Sequence, residues 1–369
     1  MKLLEISRDE LLIPLQAVTG IVEKRHTLPI LSNVLIEREN NKVHLIATDL
    51  EIQITTTRET KTSTTEKQSL TVSAKKLQDI LRALPEATTT TLDLQVNKLQ
   101  VKAGKSRFNL QTMPFEGFPR MAISGALITK ISLTQKKLQD LLTLVQFAMA
   151  QQDIRYYLNG LLIVIEENKI KVIATDGHRL SFAQETLNQQ YEKIEVILPR
   201  KAILELSKQL TASEEPIDIE IYPKQVKFIY SNSELITKVI EGKFPDYNRV
   251  IPLNYDKKIK LKREDLLHSL QRAAILSNEK FRGVRWLITE NTLAISCNNN
   301  EQEDSQEEIE VNYTDELLDM GFNITYLLDF LNNVHEEILE CTFGSSSSSM
   351  LITVPGKEDF RYVVMPMKI

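Results

Sequence analysis

The sequence predicts an α+β protein made of three copies of one unit, each with antiparallel strands and two helices. Two observations predict it. The first is an internal repeat. Asn33-Val34-Leu35-Ile36 followed by Val43-His44-Leu45-Ile46-Ala47-Thr48-Asp49 returns as Gly160-Leu161-Leu162-Ile163 followed by Ile170-Lys171-Val172-Ile173-Ala174-Thr175-Asp176, displaced by 127 residues (176 − 49). A fainter third copy, Gly283-Val284-Arg285-Trp286 with Leu293-Ala294-Ile295-Ser296-Cys297, follows the second at a displacement of 123 (283 − 160). Self-similarity at a fixed period marks a duplicated supersecondary unit. The second observation is the order of periodicities inside each copy: helix, strands, helix, strands. Mixed runs of this kind favour α+β with antiparallel sheet. The expected domains are 1–126, 127–253 and 254–369, about 120 residues each, with junctions near residues 124–129 and 253–258.

Each element has a local reason. A long helix opens every copy, over residues 7–22, 133–150 and 261–276. Ser7 with Glu10 has the spacing of a capping box, and Thr134 is placed to cap the second helix. In that second helix Leu138, Leu141, Leu142, Val145 and Met149 fall on one face. Two strands follow, joined by a polar turn at Glu39-Asn40-Asn41, Glu166-Glu167-Asn168 and Thr289-Glu290-Asn291. A shorter helix comes next, over residues 74–84, 200–210 and 325–334. Later strands are expected at 92–96, 99–102 and 108–112 in the first copy. Phe118-Pro119 and Phe244-Pro245 close the first two copies alike, 126 residues apart (244 − 118). The threonine run 88–91 and the serine run 345–349 read as polar loop tips.

Composition narrows the class. The 369 residues are 42% hydrophobic and 26% charged, which suits a folded globular chain and excludes wholesale disorder. Two cysteines, Cys297 and Cys341, cannot frame a disulfide scaffold or a four-thiolate zinc site. The N-terminus becomes acidic at Glu5 before any apolar run, and the apolar stretch 161–165 is far too short to span a bilayer. A cytoplasmic, soluble protein without membrane contact is expected.

Chemistry is hard to find. The five histidines, His26, His44, His178, His268 and His335, show no metal spacing. Gly104-Lys105-Ser106 resembles the end of a phosphate loop, but Leu99 stands where the loop needs glycine, so a turn is expected. Thr175-Asp176-Gly177-His178-Arg179 is the sharpest catalytic candidate, since an Asp beside a His can form an acid/base pair. The repeat argues otherwise: Thr48-Asp49 recurs without a histidine, which suits a turn former. No catalysis, metal or cofactor is expected.

Charge is more informative. Net charge is −5, so a nucleic-acid role requires segregated charge. Lys75, Lys76 and Arg82 face one acid, Asp79, on the 74–84 helix, and Arg200, Lys201 and Lys208 face Glu205 on the 200–210 helix. Lys136 and Lys137 oppose Asp140 on one long helix, and Lys262, Arg263 and Arg272 oppose Glu264 and Asp265 on another. One such helix is an ordinary solvated face. Recurrence at matching places points to a shared basic surface, which the last helix breaks with Asp329, Glu336 and Glu337 nearby. Residues 301–310 hold six acids, while Lys98, Lys102, Lys105 and Arg107 cluster late in the first copy. Opposite charge at the two ends suggests head-to-tail association.

Longer motifs now carry a resemblance. Gln152-Asp153-Ile154-Arg155-Tyr156-Tyr157-Leu158-Asn159-Gly160, Ala174-Thr175-Asp176-Gly177-His178-Arg179-Leu180, Phe244-Pro245-Asp246-Tyr247, the segment RAAILSNEKFRGVR at 272–285 and YVVMPMKI at 362–369 closely resemble the bacterial DNA polymerase III beta subunit, the replicative sliding clamp. The resemblance runs from Leu28-Pro29-Ile30-Leu31 to the C-terminus.

The resemblance implies three clamp-type domains and a head-to-tail homodimer forming a six-domain ring, with helices inside and sheets outside. Twelve helices spaced ~10 Å apart close a circle ~38 Å across and leave a bore of roughly 28 Å, whereas six leave under about 10 Å. Duplex DNA, roughly 20 Å wide, fits the larger bore with a layer of water. The implied role is a processivity factor that encircles double-stranded DNA without reading sequence. Implied DNA contacts are Arg25, Gln152, Arg200 and Lys201; the helix argument adds Lys75, Lys76 and Arg82. His26 stands where the family often has proline, and Ile13 where a basic residue can occur, so the first helix departs from the pattern.

The resemblance also implies an apolar groove for short motifs of the polymerase III alpha subunit, the clamp loader delta subunit, other polymerases and repair proteins. Its lining would be Arg155, Tyr157, Leu158, Thr175, Gly177, His178, Arg179, Leu180, Pro245, Arg249 and Val250, with Asn323, Tyr326, Val363, Met365, Pro366 and Met367. Methionine and proline beside aromatics make an adaptable apolar surface. At the dimer contact Phe108 and Leu110 would meet Ile275 and Leu276, with Lys105 and Arg107 facing Glu301, Glu303 and Asp304. Two rival readings are an enzyme centred on Asp176 and His178, and a structural repeat or interaction protein that never threads DNA.

Overall fold

The computed structural model describes residues 2–23 and 27–369, apart from the side chains of 61–63 and 65. The first copy runs β1 (Lys2–Ser7), α1 (Arg8–Thr19), β2 (Asn33–Thr48), β3 (Ile52–Ser73), α2 (Ala74–Ala83), β4 (Thr89–Gln95), β5 (Lys98–Ala103) and β6 (Ser106–Met113). The second runs β7 (Thr129–Thr134), α3 (Gln135–Val145), β8 (Gly160–Thr175), β9 (Arg179–Pro199), α4 (Arg200–Gln209), β10 (Pro216–Ile221), β11 (Gln225–Tyr230) and β12 (Ser233–Lys238). The third runs β13 (Lys257–Lys262), α5 (Arg263–Ala274), β14 (Gly283–Thr289), β15 (Thr292–Asn298), β16 (Asp304–Glu310), β17 (Leu318–Asn323), α6 (Ile324–Asn333), β18 (Ile338–Phe343), β19 (Met350–Val354) and β20 (Lys357–Val364). Two α-helices per copy were expected and are present, with ends within two or three residues of the expected ones except where α3 stops early, at Val145.

A strand precedes the first helix of every copy, which the sequence reading missed. β1, β7 and β13 are six residues each and run straight into the helix. No glycine or proline separates strand from helix, so no breaker marks where one ends and the other begins. At the first of these junctions the capping box forms as expected: the Glu10 amide donates to Ser7 Oγ at 3.3 Å, and the Ser7 amide donates to Glu10 Oε2 at 3.2 Å. The expected loop tip at 88–91 is corrected too. Thr89, Thr90 and Thr91 belong to β4 and pair with Ser7, Ile6 and Glu5. Threonine is β-branched and suits a pleated strand. The serine run does lie between strands, connecting β18 to β19.

The polar turns fall where the chain leaves the ordinary backbone regions. Asn40, Glu167 and Asn291 have φ of 55°, 53° and 57°. In the third copy β14 and β15 form a plain hairpin, Thr289 opposite Thr292. In the first copy β2 is continuous through Asn40, and its partner register on β3 shifts there. Residues 11 apart on a straight strand lie about 36 Å from each other. Leu35 and Ile46 nevertheless share one small apolar cluster with Phe118, so the chain folds back at Asn40.

Contacts divide the chain into two compact units: Met1–Lys136 with Leu204–Val239, and Lys137–Ile203 with Ile240–Ile369. In the first unit one sheet runs β1-β4-β5-β6-β3-β12-β11-β10-β7, with β2 on β3. The second copy's β12 zips antiparallel onto the first copy's β3, Leu235 opposite Ile54. Leu11, Leu15 and Val18 of α1 and Leu77 and Leu81 of α2 are buried, and Arg8 Nε donates to the Leu81 carbonyl at 2.8 Å. Glu37, 5% exposed, accepts from Ser69 Oγ at 3.0 Å and pairs with Arg120 at 2.5 Å. In the second unit one sheet runs β13-β18-β19-β20-β9-β8 and another β16-β15-β14-β17. Trp286 packs edge-on to Phe322, and Phe330 stacks on Tyr362 at 4.8 Å.

Candidate functional site

The repeat places one side chain at the same turn in all three copies. Asp49 Oδ1 accepts from the amides of Glu51 and Ile52 at 2.9 and 2.8 Å. Asp176 Oδ1 accepts from His178 and Arg179 at 2.9 and 3.0 Å. Asn299, 123 residues further on (299 − 176), accepts from Glu301 and Glu303 at 2.9 and 3.0 Å. An oxygen that binds amides ahead of it holds a turn. Asp176 Oδ2 is also engaged, by Arg179 Nε at 3.1 Å. Neither oxygen of Asp176 is directed at the His178 ring, so these contacts give no support to an acid/base pair.

Arg179 is the centre of what surrounds that turn. Its guanidinium donates to Asp329 at 2.7 Å and to the Phe147 carbonyl at 2.7 Å, and lies 4.5 Å above the Tyr326 ring. Burial on its own would favour the neutral form; the field of Tyr362 and the Asp329 and Asp176 carboxylates outweigh it, and the group is held charged above the usual arginine range. A second arginine orders the neighbouring loop. Asp153 accepts from the side chain and backbone of Arg155, which hold its carboxyl down at about 2. The loop is closed by Asn159, whose amide group exchanges bonds of 2.9 and 2.8 Å with the Asp153 backbone. Gly177 has φ +91°, so the backbone conformation calls for glycine, and a Cβ there would come to 3.0 Å from the tip of Arg155 at Nη2.

Between these groups lies an apolar cavity of about 170 Å³, lined by Arg155, Tyr157, Leu158, Thr175, Gly177, Arg179, Leu180, Phe244, Pro245, Val250, Val363 and Met365. Eleven of these were expected at the groove; Phe244, part of a repeat marker and of a resemblance motif, was not among the expected lining. Beside it is a more polar hollow of about 600 Å³ that holds His178, Tyr326, Gln152 and Arg200, with Asp153, Asp176 and Asp329. The other expected groove residues stand apart from both linings. Arg249 is exposed and pairs with Asp246 at 3.1 Å, and Asn323 caps α6 through the Thr325 amide at 2.9 Å. Pro366 and Met367 lie on the C-terminal tail, where Met365 N donates to His178 O and Met367 N to Gly321 O, both at 2.8 Å.

The expected DNA contacts are scattered. Arg25, like His26, lies outside the described residues. Lys75, Lys76 and Arg82 are exposed on α2. Arg200 and Lys201 begin α4 and are half-buried; Arg200 donates to the Met149 carbonyl at 3.0 Å, and burial together with nearby Arg179 lowers its proton affinity. Gln152 is exposed, with φ 58°.

Each compact unit carries a strand with a largely open edge. Among the described residues, β6 pairs with β5 along its length but meets β3 only at Thr112 and Met113. Lys105 and Arg107 are exposed there, Phe108 is half-buried and Leu110 is buried in its own unit, so Leu110 offers little surface to a partner. β16 is the outer strand of its sheet, with Asp304, Glu308 and Glu310 exposed. Glu301 and Glu303 are exposed just before it. Ile275 is 78% exposed, and Leu276 is half-buried. Among the described residues, no helix is long and apolar enough to cross a membrane.

Three family models match in sequence: the DNA polymerase III beta subunit N-terminal domain over residues 1–122, its central domain over 132–246 and its C-terminal domain over 248–368. The beta sliding clamp of Pseudomonas putida is 41% identical over 365 residues, 99% of each chain. The crystal structure of the DNA polymerase III subunit beta from Pseudomonas aeruginosa superposes with a TM-score of 0.94 at 40% identity, covering 100% of both chains. Another structure of a sliding clamp from that organism, bound to griselimycin, gives 0.94 at 40% identity and covers 99% of both. The chain belongs to the DNA polymerase III beta subunit family, the beta sliding clamps.

Proposed function

We propose that this chain is the non-catalytic processivity factor of a bacterial replicase. Two copies close head to tail around duplex DNA and tether the polymerase to it. The observation that carries the reading is the pair of open strand edges of opposite charge, β6 with Lys105 and Arg107 and β16 with its carboxylates. Opposite edges let one copy continue the sheet of the next, and opposite charge selects that pairing over like with like. Three domains per chain, divided near residues 126 and 253, then give six around the opening. Lysines and arginines at Lys75, Lys76, Arg82, Arg200 and Lys201, with Arg25 and Gln152, would meet phosphates, which give affinity without sequence information.

The apolar cavity beside Arg179 is the docking site for short linear motifs. Its size suits one or two apolar side chains, and Met365 gives it an adaptable wall. The polymerase III alpha subunit, the clamp loader delta subunit and repair proteins would compete for it. The protein would work in the cytoplasm, where the replicase is.

Enclosure is tested on nicked circular DNA. With a clamp loader and ATP, the protein should stay on the circle through gel filtration and leave within minutes of linearisation. Equal retention on linear and circular DNA would refute threading and favour a surface-binding protein.

A further inference from the structure

Gly321 is an odd residue for its place. It sits inside β17, where glycine weakens a strand. Its φ lies outside the left-handed range, so the backbone conformation does not call for glycine. Met320 and Phe322 on either side are buried, which turns position 321 to the outer face of the sheet. The need is for space: a Cβ at Gly321 would overlap the Met367 carbonyl oxygen and the Ile369 side chain. Gly283 lies diagonally across on β14, since Gly283 pairs with Asn323 and Arg285 with Gly321. A Cβ at Gly283 would meet Ile369 only at ordinary contact, 3.6 Å.

Two missing side chains thus make a hollow on the outer face of the sheet, and Ile369 lies over it, 61% exposed. The tail is held on either side of Pro366, which has no amide to offer. Met367 N bonds Gly321 O, and Met365 N bonds His178 O. Met365 lines the apolar cavity. We propose that Gly321 is a positioning residue for the docking groove: it seats the last residues of the chain and so fixes where Met365 stands. The inference rests on the docking reading for its functional consequence, while the seating of the tail is a matter of geometry alone.

The test uses the full-length protein, Gly321→Ala, Gly283→Ala and a chain lacking Lys368 and Ile369. The probe is a fluorescent peptide carrying the clamp-binding motif of the polymerase III alpha subunit. Gly321→Ala should bind it about tenfold or more weakly, with the dimer and the melting curve nearly unchanged; Gly283→Ala should bind as the parent does, and the shortened chain should fall between. Hydrogen exchange at the Met367 amide should speed up in Gly321→Ala while the β14 and β15 amides stay protected. An unchanged Met367 exchange rate would overturn the seat. Faster exchange with parental peptide affinity would overturn the positioning role. A parent that fails to bind the peptide would instead overturn the docking reading, and the exchange measurement would still decide the seat.

Discussion

Glu37 shows how one side chain can be costly alone and favourable in place. Burial pushes its carboxyl upward; hydrogen bonds from Arg120 and Ser69 overcome that and bring it below the usual value of 4.5. A carboxylate lowered on folding adds stability above its unfolded pKa and loses it as pH falls through the folded one. Glu37→Gln should therefore cost about 1–3 kcal/mol at pH 7, and the gap from the parent should close as pH falls below 4.5. Urea unfolding between pH 7 and 3 checks this; a gap that stays constant would show the charge to be irrelevant. At this scale the sequence was partly legible. Ser7 and Glu10 announce a cap because their partners are three residues away. Asp329 announced nothing, because its partner Arg179 lies 150 residues earlier; it read only as an acid spoiling a basic trend. Gly321 was equally silent, since what crowds it comes from the far end of the chain.

Elements were read well where periodicity lasts and poorly where it is short. The helices run 10 to 12 residues, about three turns of pattern. β13, Lys257-Lys258-Ile259-Lys260-Leu261-Lys262, alternates cleanly, yet its first four residues read as no element and its last two as the start of the helix behind it. Edges follow from pairing, which local pattern does not give, so only their charge was visible beforehand. That charge supports an element-scale test. Glu308→Lys with Glu310→Lys on β16 should weaken the dimer by about tenfold or more, and Lys105→Glu with Arg107→Glu on a second copy should restore mixed dimers. Sedimentation of mixtures reads this out. Failure of the reversed pair to recover association would separate the two edges. Added salt should weaken the parental dimer as well, since exposed pairs are screened.

For the whole molecule, the repeat was the legible part and the apolar cavity beside Arg179 was not. Repetition is written along the chain at fixed displacement, so it survives without coordinates. The cavity gathers residues near 155–180, 244–250 and 363–365, and only resemblance could have collected them. An isoleucine 78% exposed in one chain is apolar surface awaiting cover, so Ile275 joins charge in the proposed dimer contact. Ile275→Ala with Leu276→Ala should sediment as a monomer at micromolar concentration and lose retention on circular DNA while still folding. A double variant that remains dimeric would move the interface elsewhere.

The two unpaired margins, one basic and one acidic, have a further consequence. A body with one plug and one socket has no built-in stopping number: copies could add end on end into an open filament. Only the angle between successive copies makes the second one meet the first. Mutations far from either margin that alter that angle should therefore yield polymers of variable length instead of closed two-copy rings, a failure that resembles gain of affinity in a binding assay and loss of function in a replication assay.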